Sequence, residues 1–200
     1  MWYKESRGQS RLGLRTSPNW EGIALSHDLD MPSSSLLRRL FGALVERTFL
    51  QTLGVHEPGV ADYLADVLTD FAHMGCVYQV KDLQGRPLKE VAEMLVQADV
   101  RLGANSFNRE REVHKHIGDF TLFWAGIYPD SLPRLREATR KDHLIDYVRQ
   151  GKSSYAIAAS FDYGDYRPQA PVLKTLSQEF ELCLYGLNLV RKEMDGLARA

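Results

Sequence analysis

The chain has 200 residues, 44% hydrophobic and 26% charged, and a formal charge of −1. That length suits one domain, or one domain with a tail, and supports a core without disulfide or metal staples. The balance of 25 basic and 26 acidic residues excludes a nucleic-acid surface that works through bulk charge, and no run approaches the ~18 apolar residues of a membrane-spanning helix.

Residues 1–33 read as an irregular, partly disordered N-terminal arm. Gly8, Gly13, Pro18 and Pro32 punctuate it, and its apolar residues follow no period. The rival reading is an arm that packs on a neighbouring subunit. No apolar core follows the early arginines, so a secretory signal is not expected. The two cysteines, Cys76 and Cys183, are far apart and in no metal-ligand spacing. A reducing compartment fits them, and the cytoplasm is the expected location.

From residue 34 to 200 the period is helical. Ser33 or Ser34 caps a helix running to about Leu53, with Leu37, Leu40, Leu44 and Phe49 inside and Gly54 as its stop. Pro58 sits in the first turn of the next helix. There Val60, Leu64, Val67, Phe71 and Met74 form a core stripe, and Gly75 ends it. The β-prone run from Val77 to Lys81 is too short to build a sheet and reads as an extended linker before a Gln84-Gly85 turn. Pro87 opens a third helix from Leu88 to about Val100, with Val91, Leu95 and Ala98 inward.

Ser106 or Asn108 caps a long central helix that ends at Tyr128 and Pro129. Over residues 110–128 this helix begins charged and becomes apolar all round, which predicts a solvated mouth and an enclosed end. Val113, Ile117, Phe120, Trp124 and Ile127 share one direction, and Leu122 points the opposite way. A loop with Pro133 follows, with a short helix over Leu135–Arg140. Asp142 caps a helix from His143 to about Phe161, and a last helix runs from Pro171 to the end. Leu176, Phe180, Cys183, Leu187, Val190, Met194 and Leu197 form its stripe. The expected fold is therefore all-α: a single multi-helix bundle of about six helices around the buried central helix at 110–128. Gly118 and Ala125 face Gly151, Ser154 and Ala158 in this reading, and the central and fifth helices cross tightly there.

The polar residues of the central helix are the nearest thing to chemistry. His114 and His116 are two apart, hence on different faces, and cannot share a metal. His116 does align with Glu112 and Asp119 along one line. Asp70 and His73 on the second helix repeat the carboxylate-x-x-His spacing of di-metal bundles. Four inward glutamates are lacking, so a solvated polar surface is the preferred reading of both lines and no metal ligand is assigned. Gly151-Lys152-Ser153 is a chance match to a phosphate loop, because no strand precedes it. Cys183 on the core stripe reads as an inert buried thiol. Arg109, Arg111, Lys115 and the cluster from Arg134 to Lys141 read as a solvated face. Tyr147, Tyr155, Tyr163 and Tyr166 read as core or interface residues.

Gly118-Asp119-x-x-Leu122-Phe123-x-x-Gly126-x-x-Pro129-x-Ser131-Leu132, followed by Tyr147-x-x-x-Gly151-x-x-x-Tyr155, resembles a pair of motifs that recur in a group of all-helical bacterial proteins. The resemblance spans about residues 34–165, and the 33-residue arm departs from it. It implies a bacterial, cytoplasmic, all-helical protein and carries over no activity, so it supplies no catalytic residue. Asp119 is the odd member of its motif, a carboxylate where the helix turns apolar. Its expected partner is Tyr155 or a backbone group of the next helix.

Packing signals outnumber catalytic ones. The leading expectation is a helical interaction or scaffold protein that self-associates as a homo-oligomer and has room for a protein partner, with neither membrane nor nucleic acid as its target. The alternative is a metal- or small-molecule-binding helical-bundle enzyme with a carboxylate/His site at Glu112, His116, Asp119, Asp70 and His73. A weaker third is a regulator with a small basic patch. No catalytic motif is present, and the sequence implies no particular cofactor.

Overall fold

The computed structural model describes residues 32–73, 79–82, 84–99, 106–133, 142 and 145–199. The expected arm, Met74, Gly75, Cys76, the cluster from Arg134 to Lys141 and the short helix over Leu135–Arg140 lie outside the described residues, apart from the end of the arm at Pro32 and Ser33. Seven α-helices are present among the described residues: α1 (Pro32–Glu46), α2 (Pro58–Ala72), α3 (Val91–Ala98), α4 (Phe107–Ile127), α5 (Tyr147–Ala159), α6 (Ala170–Gln178) and α7 (Phe180–Leu197). The chain divides between Ser33 and Ser34, and all these helices but the first two residues of α1 belong to the second unit. The protein is an all-α bundle built on α4, which packs against α3, α5 and α7. No helix among the described residues is long and apolar enough to cross a membrane.

The α4–α5 crossing organises the bundle, and small residues set its closeness. A Cβ on Gly118 would lie 2.5 Å from the Tyr155 ring, and one on Gly151 would lie 2.3 Å from Phe180 and 2.4 Å from the Thr121 hydroxyl. No side chain fits in either place, so glycine's cost inside a helix, about 1 kcal/mol against alanine, is offset by contact between fully buried neighbours. Tyr155, Leu122, Phe180 and Leu187 are all fully enclosed there.

Local details depart from the periodic reading. The first helix turns into a π-helix over Arg47–Thr52, with Leu53 N–H donating to the Thr48 carbonyl five residues back (2.9 Å). The buried set is Phe41, Leu44, Val45, Thr48 and Phe49, while Leu40 is 42% exposed. Leu44 and Phe49 thus face inward as expected and Leu37 packs at the edge of the core, while Leu40 of the expected line turns outward. The wide turn seats Phe49 against Gly186 of α7. Gly54, at φ 68°, then reverses the chain.

The expected linker closes as a tight hairpin with one antiparallel bridge, Lys81 to Pro87. Leu88 N–H donates to the Val80 carbonyl (2.8 Å), and Gly85 takes φ 78° at the turn. The third helix starts at Val91, not at Leu88, because its N-terminus is held by a remote carboxylate. Asp142 is fully buried and accepts from Val91 N–H (2.9 Å), Ala92 N–H (2.8 Å) and Tyr147 O–H (2.8 Å). It therefore does not cap the fifth helix, whose cap is Asp146, accepting from Arg149 N–H (3.1 Å).

The expected last helix is two. Glu179 leaves the helical region (φ −103°, ψ 28°), and the bend keeps both Leu176 and Phe180 fully buried. The core stripe of α7 ends at Val190; Met194 is half-buried and Leu197 is 62% exposed.

Candidate functional site

Polar chemistry collects where α4 passes α2 and α5. Asp119 sits one residue past the Gly118 contact, so close packing fixes its backbone and aims its carboxylate at two tyrosines. Tyr63 of α2 donates its hydroxyl to Asp119 Oδ1 (2.6 Å), and Tyr155 of α5 donates to the same oxygen (2.8 Å). Lys115, one turn earlier on α4, donates Nζ–H to Oδ2 (2.8 Å). Asp119 is buried, and Lys115 keeps about a quarter of its side chain exposed. Three donors on one buried carboxylate satisfy it.

Above this triad lies an open cleft of about 520 Å³. Ser35 and Arg38 of α1, Tyr63, Asp66, Thr69 and Asp70 of α2, then His73, Lys115 and Gln169 line it. Arg38 is engaged by Asp66 and by the Asp62 carbonyl, which clips α1 to α2. His73 Nδ1 lies 3.0 Å from the Thr69 carbonyl. A carbonyl only accepts, so Nδ1 carries the proton and Nε2 presents a lone pair in the neutral ring. Burial raises the Asp70 carboxyl above its ordinary range, with Asp119 and Asp66 adding to the rise and Lys115 and His73 opposing it.

The five residues singled out in the sequence do not act as one group. Asp70 and His73 line the cleft, and Asp119 lies beneath it through Tyr63 and Lys115. His116 is turned away into aromatic packing, stacked on Phe71 (5.9 Å, 25°) and near Phe120. Glu112 is half exposed and pairs with Arg111. Among the described residues no three His, Cys, Asp or Glu side chains come together to hold a metal ion.

The solvated mouth expected for the central helix holds at Phe107, Asn108 and Glu112, which are exposed, but not at its arginine and histidines. Arg111, His114 and His116 are all buried. Arg111 stacks on Tyr166 (3.9 Å) and donates Nη2–H to Gln169 Oε1 (2.7 Å). That corrects the reading of Arg111 as part of a solvated face, because the loop after α5 folds back over it; Lys115 is partly buried instead between Asp119 and the Tyr63 ring. His114 lies 3.3 Å from the Ser154 hydroxyl, and burial pulls its pKa down. Of the four later tyrosines, Tyr147 and Tyr155 are core, while Tyr163 is 51% exposed. Burial pushes the Cys183 thiol up to about 12, so it is an inert core group.

Lys115, Tyr63, Arg38 and Gln169 were not singled out as site residues from the sequence. Lys115 had a signal, its i,i+4 spacing to Asp119. Tyr63 sits between Val60 and Val67 on the α2 stripe, so its burial was readable. Arg38 and Gln169 reach the cleft only through tertiary packing and had none.

No family model, no curated protein and no solved structure matches this chain.

The triad sets an alkaline limit. The Asp119 charge holds the Lys115 ammonium above its ordinary range, and burial holds the Tyr63 and Tyr155 phenols well above theirs. All three keep their protons longer in the folded state. Their contribution is complete below about pH 10, where the unfolded groups are still protonated, and is lost as pH rises past it. His114 acts at the other end: its folded pKa is depressed, so its contribution is lost as pH falls below about 6.5. Urea denaturation at stepped pH is expected to show stability falling above about pH 10 and below about pH 6.5. A rise in stability between about pH 10 and 11 would contradict the alkaline assignment.

Proposed function

We propose that this protein is a binding domain that takes a small polar molecule in the cleft between α1, α2 and α4. The observation that supports this most is the fixed ammonium of Lys115 at the foot of the cleft, held by a carboxylate that two tyrosines hold in turn. Stability alone does not ask for such a device. Replacing a buried ion pair with apolar packing is often neutral or stabilising. An ammonium already oriented, by contrast, lowers the ordering cost of binding. Binding is favoured over catalysis because the cleft imidazole gives its Nδ1 proton to a backbone carbonyl of its own helix, and the cleft hydroxyl of Thr69 is donated to the Ala65 carbonyl. These are groups at rest, not a nucleophile and base in contact.

The test is a chemical-shift titration of the full ¹⁵N-labelled chain with acetate, inorganic phosphate and methylammonium. Expected are saturable changes confined to amides around residues 35–38, 63–73, 115–119 and 169, weakened in Arg38→Ala. No change with any probe, or changes scattered over the bundle, overturns the reading.

A second reading, assembly with another copy of the chain or with a protein partner, is supported by Leu36 (66% exposed) and Leu40 (42% exposed), one turn apart on α1. Sedimentation of the wild type and Leu40→Glu decides its self-assembly form: a wild-type monomer at every concentration rules out a second copy as the occupant. The motif resemblance supports a bacterial, cytoplasmic setting, and the charge balance supports no role for nucleic acid.

A further inference from the structure

We infer that the cleft is built for a zwitterion: a small molecule whose carboxylate seats on Lys115 and Gln169 and whose ammonium seats on Asp70. This rests on the cleft reading above and names its ligand class.

One end of the cleft offers only donors. The Lys115 ammonium has three N–H groups, and one goes to Asp119 Oδ2. Gln169 is oriented by Arg111. A guanidinium cannot accept, so the amide oxygen must face Arg111, as it does at 2.7 Å. The amide NH₂ is then the end of Gln169 left to serve the cleft it lines. Arg111 is itself immobile, buried under Tyr166 and paired with Glu112. Arg111 and Lys115 are one turn apart on α4, so the donors they set lie side by side.

The opposite wall offers acceptors. His73 presents Nε2, because its Nδ1 proton is committed to the Thr69 carbonyl. Asp70 stands one turn before it on the same side of α2, and both line the cleft. The charges of the cleft then cancel in pairs. Arg38 is neutralised by Asp66 and Lys115 by Asp119, which leaves the Asp70 carboxylate without a dedicated cation among the described residues. Lys115 and Asp70 line one cleft, so a single small molecule can address both.

A simple anion on Lys115 would face the Asp70 carboxylate. A simple cation on Asp70 would leave the donor end without an acceptor. A molecule with both charges serves both walls, and the cleft, at about 520 Å³, is in the size range of small-ligand sites.

The test uses the full chain and three probes with the same carbon skeleton: 4-aminobutanoate, butanoate and butylammonium, with glycine and 6-aminohexanoate to vary the span. The expected result is that one of the amino acids binds at least about tenfold more tightly than either one-ended probe. Asp70→Asn should lower that affinity to the butanoate level and leave butanoate binding unchanged or stronger. Gln169→Glu keeps an oxygen for Arg111, so it preserves the fold while removing the donor, and it should abolish the preference. If butanoate or butylammonium binds as tightly as every amino acid, the zwitterion assignment is overturned while the cleft reading stands. If no probe binds, acetate and phosphate included, the cleft reading falls with it.

Discussion

Asp119→Ala is expected to lose about 3–5 kcal/mol of folding stability, because it removes one partner of a buried charge pair. Three groups depend on this carboxylate. Lys115 would be left as a largely buried cation, and the Tyr63 and Tyr155 hydroxyls would lose the carboxylate they donate to. Each buried hydroxyl left unpaired costs about 1–3 kcal/mol. Relaxation, with Lys115 swinging out through the cleft it lines, keeps the sum below simple addition. Asp119→Asn should cost less, since its single oxygen can serve both tyrosines, but its NH₂ then meets the Lys115 ammonium donor to donor. The control is an apolar replacement of the whole group: Asp119→Leu with Tyr63→Phe, Tyr155→Phe and Lys115→Met. That variant should recover most of the loss, because no charge or hydroxyl is left without a partner. Urea denaturation measures all of these. A loss under about 1 kcal/mol in Asp119→Ala would show that the triad contributes little to stability. The apolar variant also separates fold from function, since it keeps the bundle and deletes the fixed ammonium.

The α4–α5 crossing was readable from sequence because its causes are local to each helix. Gly118 and Gly151 mark where a neighbour approaches, and Asp119 beside Gly118 needs a donor from whichever helix that is. Tyr155, one turn beyond Gly151, supplies it (2.8 Å). The two motifs, Gly118–Leu132 and Tyr147–Tyr155, meet in space for this reason, and their conspicuous members are packing residues with one polar exception. Helix ends were less legible. A π-turn at Arg47–Thr52 ends the first helix with no mark in the composition on either side of it. The bend at Glu179 interrupts a stripe that continues on both sides of it. The burial of Arg111 and His114 depended on what covers them: Tyr166 and Gln169 for one, Ser154 for the other. A periodic pattern states which residues share a face. It does not state which loop will lie across that face.

Asp142→Ala is the second variant with a large expected effect, about 3 kcal/mol from a lost cap together with the loss of the carboxylate that the buried Tyr147 hydroxyl donates to. Its carboxylate closes the N-terminus of α3 from fifty residues away, accepting from Val91 and Ala92 N–H and from Tyr147 O–H. An N-cap normally comes from the residue just before the helix. Here that place belongs to Glu90, whose side chain makes no capping bond, so α3 has no local substitute. An isolated helix of eight residues is far too short to persist on its own. The cap therefore supports docking as much as helicity, because it ties α3 to the start of α5. Asp142→Asn distinguishes the contributions. Val91 N–H and Tyr147 O–H share one carboxylate oxygen and Ala92 N–H takes the other, so in either amide orientation one backbone N–H meets the NH₂ donor to donor. Asn should thus retain part of the stability, with its oxygen in the place that serves both Val91 and Tyr147, and adding Tyr147→Phe should then cost a further, smaller loss. Amide hydrogen exchange locates the effect. Protection is expected to fall first at Met94–Ala98, the N–H groups that bond within α3, while the α4–α5 crossing stays protected. Equal loss across both would mean that Asp142 holds the whole bundle instead of one helix of it.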